Sequence, residues 1–136
     1  MDFNISIVTD LAFIRSILCR EDIEETFCSG VEVTQANIDK SAGIFFHVEN
    51  IGLFAANVTG EKELLFHAAI PSENRGIRAI RAARYLGDKL TELGFTCRTR
   101  NKDIKHQRVF VRMVGFEFQE SKDGYNYYIY RGVKNG

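Results

Sequence analysis

The sequence predicts a single mixed α/β domain, and three observations point to that class. The chain has 136 residues, of which 45% are hydrophobic, so it can bury one core without disulfides or a structural metal. Short apolar runs with a period of two indicate strands, and longer runs with apolar residues three and four apart indicate helices. In chain order these segments predict the arrangement β-α-α-β-β-β-α-β-α-β-β.

The first third of the chain predicts one strand and two short helices. Residues 4–9 form the strand, and Asp10 can cap a helix that runs to about residue 19. Residues 21–28 predict a second helix, because their first turn is acidic, as the helix dipole prefers. Residues 29–42 are polar and are expected to form a loop.

Three strands come next. Residues 44–48 and 51–58 are apolar runs separated by Glu49-Asn50, which suits a tight hairpin. Residues 63–70 are apolar at odd and even positions alike, so this strand is expected to be central and covered on both faces.

The longest helix is predicted over residues 74–93, after Pro71 ends the strand and before Gly94 ends the helix. Its expected buried stripe consists of Ala79, Ala82, Ala83, Leu86, Leu90 and Leu93. The remaining predicted elements are a strand at 95–100, a helix at 104–114 that Gly115 ends, and a hairpin of strands at 116–120 and 125–131.

Composition and charge exclude several classes of protein. Eighteen basic and eighteen acidic residues cancel, so a strongly basic nucleic-acid binder is not expected. No apolar run approaches the roughly 20 residues of a membrane helix, and no signal peptide is visible, so a cytoplasmic protein is expected. Three cysteines, no Cys-x-x-Cys pair and widely spaced histidines predict buried, reduced thiols and no metal site.

The acidic and basic residues cancel in number but are unevenly distributed along the chain. Residues 1–66 carry four basic and eleven acidic side chains, whereas residues 67–136 carry fourteen basic and seven acidic ones. This split favours an anionic ligand on the second half, or contact between the two halves.

The segment that joins the central strand to the longest helix carries the most chemical information. Arg75-Gly76 precedes the helix, whose N-terminus offers unpaired N–H groups and the positive end of the dipole to a phosphate. Gly76 lacks a Cβ where a ligand needs close approach, and Arg78 adds charge. On these residues alone, an ordinary loop with a helix start and solvated arginines is the favoured interpretation.

With these elements in this order, the chain resembles the GNAT (N-acetyltransferase) superfamily. The resemblance covers nearly the whole chain and is strongest over residues 70–116. There Ile-Pro-Ser-Glu-Asn-Arg-Gly is similar to the family's strand end and pyrophosphate loop, and Arg-Val-Phe-Val-Arg-Met-Val-Gly-Phe is similar to its later helix and terminal Gly-Phe. The Arg-Gly-x-x-Ala loop after a His-containing strand is closer to phage-encoded members.

The resemblance implies a central, mostly antiparallel sheet flanked by helices that binds acetyl-CoA or CoA over residues 1–136. The pyrophosphate would lie on backbone N–H groups, and the pantetheine would lie between the strand that ends near residue 70 and the strand that begins near residue 95. Acyl transfer from the thioester to an amine is the implied reaction. The implied cofactor-binding residues are Ile70, Arg75, Gly76, Ile77, Arg78, Ala79 and Ile80.

The phage-encoded relatives imply an alternative. Some of them are head-assembly or virion-associated proteins, so a non-catalytic protein with a phage structural partner is the second hypothesis. The chain departs from the family pattern at two kinds of position. In the loop, Arg78 and Ile80 replace small residues. In and just before the later helix, Val111 stands where the family has a tyrosine general acid, and Ile104 stands where it commonly has an asparagine.

His67 is the candidate catalytic base, because a histidine with a pKa near 6.5 can accept a proton from an amine at neutral pH. A core histidine that is hydrogen-bonded within the strand is an equal alternative. The basic stretch at 98–112 could bind the CoA 3′-phosphate or an acidic partner; nucleic acid has the least support, since no aromatics are interleaved. The edge of the second strand and the 116–131 hairpin could support a homodimer.

Overall fold

The computed structural model describes residues 3–23, 32–102 and 105–132. Its strands are β1 (Ile5–Val8), β2 (Gly43–Val48), β3 (Gly52–Gly60), β4 (Glu63–Ala69), β5 (Thr96–Asn101), β6 (Phe116–Lys122) and β7 (Tyr125–Tyr130). Its helices are α1 (Leu11–Leu18), α2 (Gln35–Lys40), α3 (Ile77–Glu92) and α4 (Lys105–Val114), with a 3-10 turn at Ser72–Asn74.

All seven strands form one sheet in the order β1-β2-β3-β4-β5-β7-β6. Every neighbouring pair is antiparallel except β4 and β5, which are parallel. The predicted mixed, mostly antiparallel sheet with β4 at its centre is therefore confirmed. The predicted dimer contact through the edge of the second strand is wrong, because β2 is paired on both sides and the sheet edges are β1 and β6.

A hydrophobic core lies on each face of the sheet. Leu64 and Phe66 of β4 join the larger core beneath α3, whereas Ala69 of β4 joins a smaller core with Ile14 and Leu18 of α1. Successive side chains of a strand point to opposite faces, which is why β4 had to be apolar at both odd and even positions.

The region predicted as a polar loop at 29–42 contains α2, so that prediction is wrong. The Thr34 side chain accepts a hydrogen bond from the Asn37 N–H at 3.1 Å and caps the helix. No residue of α2 is buried, and a helix without an apolar face leaves no periodic signal. Of the helix predicted at 21–28, residues 21–23 are helical, and the rest lies outside the described residues.

The longest helix begins three residues later than predicted. Ser72–Asn74 forms a separate 3-10 turn, and Gly76, at φ 145°, is the N-cap of α3. Leu93 was expected in the buried stripe, but it is 67% exposed because it follows the last helical residue. The other five residues of that stripe are buried as predicted.

The thiols differ from one another. Cys97 is buried in the larger core, and burial raises the pKa of its thiol to about 11. Cys19 is exposed, contrary to expectation, and Cys28 lies outside the described residues. Within the described part of the chain, no helix is long and apolar enough to cross a membrane.

Candidate functional site

The central feature of the site is a gap between the two parallel strands. β4 and β5 pair only from Glu63–Thr96 to Leu65–Arg98, although both strands continue. The next contact between these strands is a hydrogen bond that the Thr99 hydroxyl donates to the Phe66 carbonyl at 2.6 Å. Beyond it, β4 has no ladder partner on the side of β5. The sheet therefore opens at the C-terminal ends of both strands.

The loop between β4 and α3 is held rigidly by backbone acceptors. The Arg75 guanidinium donates to the Ile70 carbonyl at 3.0 Å and to the Asp22 carbonyl at 2.8 Å. The Asn74 amide donates to the Ile51 carbonyl at 3.1 Å. The Arg75 side chain is exposed, but these two hydrogen bonds tie its guanidinium to backbone carbonyls, so it helps to fix the course of the loop.

A cluster of charged residues before the loop reinforces it. The Asp22 carboxylate accepts from the Ser72 N–H at 2.7 Å and from Arg20 at 3.1 Å. Arg20 also contacts Glu73 at 2.8 Å. The hydrogen bond from Arg20 and the one from Ser72 hold the pKa of Asp22 well below its usual range. The acidic first half of the chain therefore contacts the second half at this loop.

The N-terminus of α3 has backbone donors without a partner among the described residues, two of them on the exposed residues Ile77 and Arg78. The first helical hydrogen bond runs from the Ile80 N–H to the Gly76 carbonyl, and no side chain caps the three N–H groups between them. A Cβ at Gly76 would have no neighbour within 4 Å, so the approach is open. Ile77 and Arg78 are exposed, and Arg78 forms no hydrogen bond or ion pair with the described residues. An anion is favoured at this position.

The two unusual loop residues leave these donors accessible. The Arg78 side chain lies in solvent, where it adds positive charge beside the helix end. Ile80 is 8% exposed and packs into the larger core with Ala79, so its side chain points away from the N–H groups. Neither side chain fills the space above the loop.

His67 lies near the middle of β4, opposite Ala55 of β3 and on the same face as Leu65. The residue is mostly, though not fully, buried. Burial lowers the pKa of His67 to about 4, and the nearby Arg100 guanidinium adds to the effect. The expected value near 6.5 is thus wrong, because that value belongs to a solvated imidazole. At neutral pH the ring is uncharged.

Asn101 is a candidate that the sequence analysis missed. It is the last residue of β5, it is 9% exposed, and neither atom of its side-chain amide has a hydrogen-bond partner among the described residues. Buried amides without partners are rare and costly. It shares a face with Thr99, one step further along the strand, where β4 and β5 have separated. The predicted strand ended at residue 100, so the only signal was a polar residue just after it.

Other candidates have structural partners. Glu63 contacts Arg98 at 3.8 Å, and the hydroxyl of Tyr130 donates to Asp88 at 2.6 Å. Val111 packs against the larger core, and residue 104 lies outside the described part of the chain. In the described residues, no group of three His, Cys, Asp or Glu side chains could hold a metal ion.

On the face that carries Leu65 and His67, the neighbouring strands present two cations and two phenols. Arg98 lies opposite Leu65, and Arg100 lies opposite Tyr127 in the ladder. The Arg100 guanidinium also lies over the Tyr125 ring, 4.8 Å from its centroid. We call these four residues, Arg98, Arg100, Tyr125 and Tyr127, the arginine–tyrosine face.

The fold is similar to that of solved acetyltransferases. No protein-family model matches the sequence, and no curated protein matches it. The structure of AAC(6')-Ib in complex with paromomycin and acetyl-CoA superimposes with a TM-score of 0.76 at 15% identity, over 100% of both chains. A Bacillus subtilis acetyltransferase in complex with CoA gives 0.66 at 12% identity, over 95% of this chain and 98% of that one.

A GNAT family acetyltransferase from Listeria monocytogenes gives a TM-score of 0.63 at 16% identity, over 93% of each chain. At such low identities the likeness shows the fold. This chain therefore has the GNAT acetyltransferase fold along its length, as the sequence predicted.

Proposed function

We propose that this chain is an acyl-CoA N-acyltransferase that transfers an acetyl or related acyl group to an amine. The gap between β4 and β5, with the uncapped α3 N-terminus at its end, is the observation that carries the proposal. The fold supports it, because structures with this fold have been solved with CoA or acetyl-CoA bound.

The residues present fit such a thioester. The backbone N–H groups between Gly76 and Ile80, with the exposed charge of Arg78, would hold the pyrophosphate. The unpaired edge of β4 offers backbone groups up to Ile70 for the amides of the pantetheine arm. Asn101 offers an amide without a partner at the same gap, so a ligand there would satisfy a group that the fold leaves unsatisfied.

The bound thioester supplies an activated acyl carbon. The amine nitrogen attacks that carbon, the new C–N bond forms, and the C–S bond breaks to release the thiol. We propose that His67, which is uncharged at neutral pH but a weaker base than a solvated histidine, accepts the proton that the nitrogen loses and passes it to solvent, and that solvent returns a proton to the sulfur. Because no tyrosine lies at position 111, this chain offers no phenol there to protonate the leaving group.

The alternative is a non-catalytic protein that keeps the fold. None of the solved structures described above is a phage or virion protein, so the comparisons do not support a head-assembly function. Failure to bind acyl-CoA would be the result that favours this alternative.

Calorimetric titration with acetyl-CoA and with CoA at low salt tests the proposal. We expect micromolar binding, which Arg78→Glu weakens by about tenfold, because it places a carboxylate beside the pyrophosphate. Lys122→Glu is the matched control: it makes the same charge change at an exposed residue at the far edge of the sheet, and binding should stay within about twofold.

Two outcomes would refute the assignment. One is no heat and no rise in melting temperature with either ligand. The other is an equal loss of affinity in both variants, which would show attraction by overall charge without a defined pyrophosphate site. Asn101→Leu tests the gap separately: it should weaken the binding of CoA and leave unchanged the binding of 3′,5′-ADP, a nucleotide probe that lacks the pantetheine arm.

A further inference from the structure

Resting on the proposed acyltransferase function, we propose that the acceptor amine carries a carboxylate, and that Arg100 binds this carboxylate on the arginine–tyrosine face. The acceptor class would then be amino acids or related amino-carboxylates. The proposal comes from the position, the charge and the lack of ion-pair partners of one arginine beside His67.

The position follows from the two faces of the sheet. α3 packs on the face of Leu64 and Phe66, whereas His67 faces the other way. A thioester held at the N-terminus of α3 and in the gap is therefore approached by the amine from the opposite face. Arg98 and Arg100 of β5 border the gap on that face.

The charge of this face is set by Arg100. Arg98 shares its charge with Glu63 at 3.8 Å, and Arg131 on the same face contacts Glu117 at 3.4 Å. Arg100 has no carboxylate partner among the described residues, and its guanidinium lies over the Tyr125 ring.

Two further charged residues lie on this face. Glu120 and Lys122 of β6 lie opposite Tyr127 and Tyr125, are both exposed, and offset each other. Among the described residues, the unmatched charge beside the gap is therefore the positive charge of Arg100.

An unmatched guanidinium selects ligands by charge. It repels a polycationic amine and accepts a carboxylate through two parallel N–H···O bonds. The effect of Arg100 on the pKa of His67 shows that its field reaches the imidazole. The ring of Tyr125, 4.8 Å from the guanidinium, restricts the Arg100 side chain before a carboxylate binds, which lowers the side-chain entropy lost on binding. Arg100 would act as a specificity-determining residue.

The experiment compares amines that differ only in a carboxylate. Thiol release from acetyl-CoA is measured with L-phenylalanine and 2-phenylethylamine, with β-alanine and propylamine, and with kanamycin as a polycation. We expect kcat/KM to be at least about tenfold higher for the carboxylate member of a pair. Arg100→Gln should abolish that preference, and the affinity for acetyl-CoA should not change.

Lys122→Gln is the control, because it removes an exposed positive charge from the same face and should keep the preference. Both variants should melt within a few degrees of the parent. Transfer to amines without a carboxylate preference, or a preference that survives Arg100→Gln, would overturn this proposal and leave the acyltransferase function standing. No transfer to any of these amines by protein that binds acetyl-CoA would overturn both.

Discussion

The buried imidazole of His67 makes a prediction about stability that does not depend on any ligand. In the unfolded chain the imidazole has a pKa near 6.5, and burial in the fold lowers it to about 4. Between these values the unfolded state binds more protons than the folded state. The free energy of unfolding must therefore rise with pH across this window and lose that contribution as the pH falls.

The size of the effect follows from the two pKa values. Relative to pH 8, the titration of His67 lowers the free energy of unfolding by about 2 kcal/mol at pH 5 and by about 3 kcal/mol at pH 4. Below pH 4 the imidazole is protonated in both states, so the contribution levels off. His67→Gln removes the titrating group and keeps a polar side chain of similar length.

Urea unfolding of the parent and of His67→Gln at pH 8, 6, 5 and 4 measures the difference. Carboxylates titrate in both proteins, so subtracting one curve from the other isolates the histidine. Arg100→Gln adds a second check, because removing this cation should raise the pKa of His67 and flatten the parent's curve. A difference between parent and His67→Gln that stays constant from pH 8 to pH 4 would refute the burial of a neutral imidazole.

Two further predictions concern packing around the sheet. Gly87→Ala should lower the free energy of unfolding by about 1–3 kcal/mol, because its Cβ would lie 2.9 Å from the Tyr130 ring in the buried interface of α3. Chemical denaturation measures it, and the cost of Gly87→Ala should be smaller when it is measured in a Tyr130→Leu background, where the clashing ring is gone. Thr99→Val should cost about 1–3 kcal/mol, since the Phe66 carbonyl loses its bond across the gap; an unchanged unfolding midpoint would show that this bond contributes nothing.

The sequence predicted those elements whose burial is periodic. β4 was identified as central because both of its faces are apolar, and α3 because its alanines and leucines follow one stripe. α2 escaped prediction because it has no buried residue and depends on the Thr34 cap. Local side-chain capping leaves only a one-residue signal, and threonine is common outside helix starts as well.

Parts of the site were less accessible to sequence reasoning than the fold. The loop before α3 was located from Arg75-Gly76, but the hydrogen bonds of Arg75 to the Ile70 and Asp22 carbonyls depend on a segment 53 residues away. The pKa of His67 depends on burial and on a strand neighbour far along the chain. Asn101 is notable only because its neighbours in space offer no partner. Such features arise from tertiary contacts, which no local pattern records.

The short pairing between β4 and β5 divides the sheet into two leaves, β1-β2-β3-β4 and β5-β7-β6. Only three residue pairs form the ladder between them, so few backbone bonds hold the two leaves together. Side chains supply a further contact, where the ring of Phe66 in one leaf stacks on the ring of Phe116 in the other with centroids 6.4 Å apart. We therefore expect substitutions at Phe66 or Phe116 to change the width of the gap, and with it the affinity for a thioester bound there.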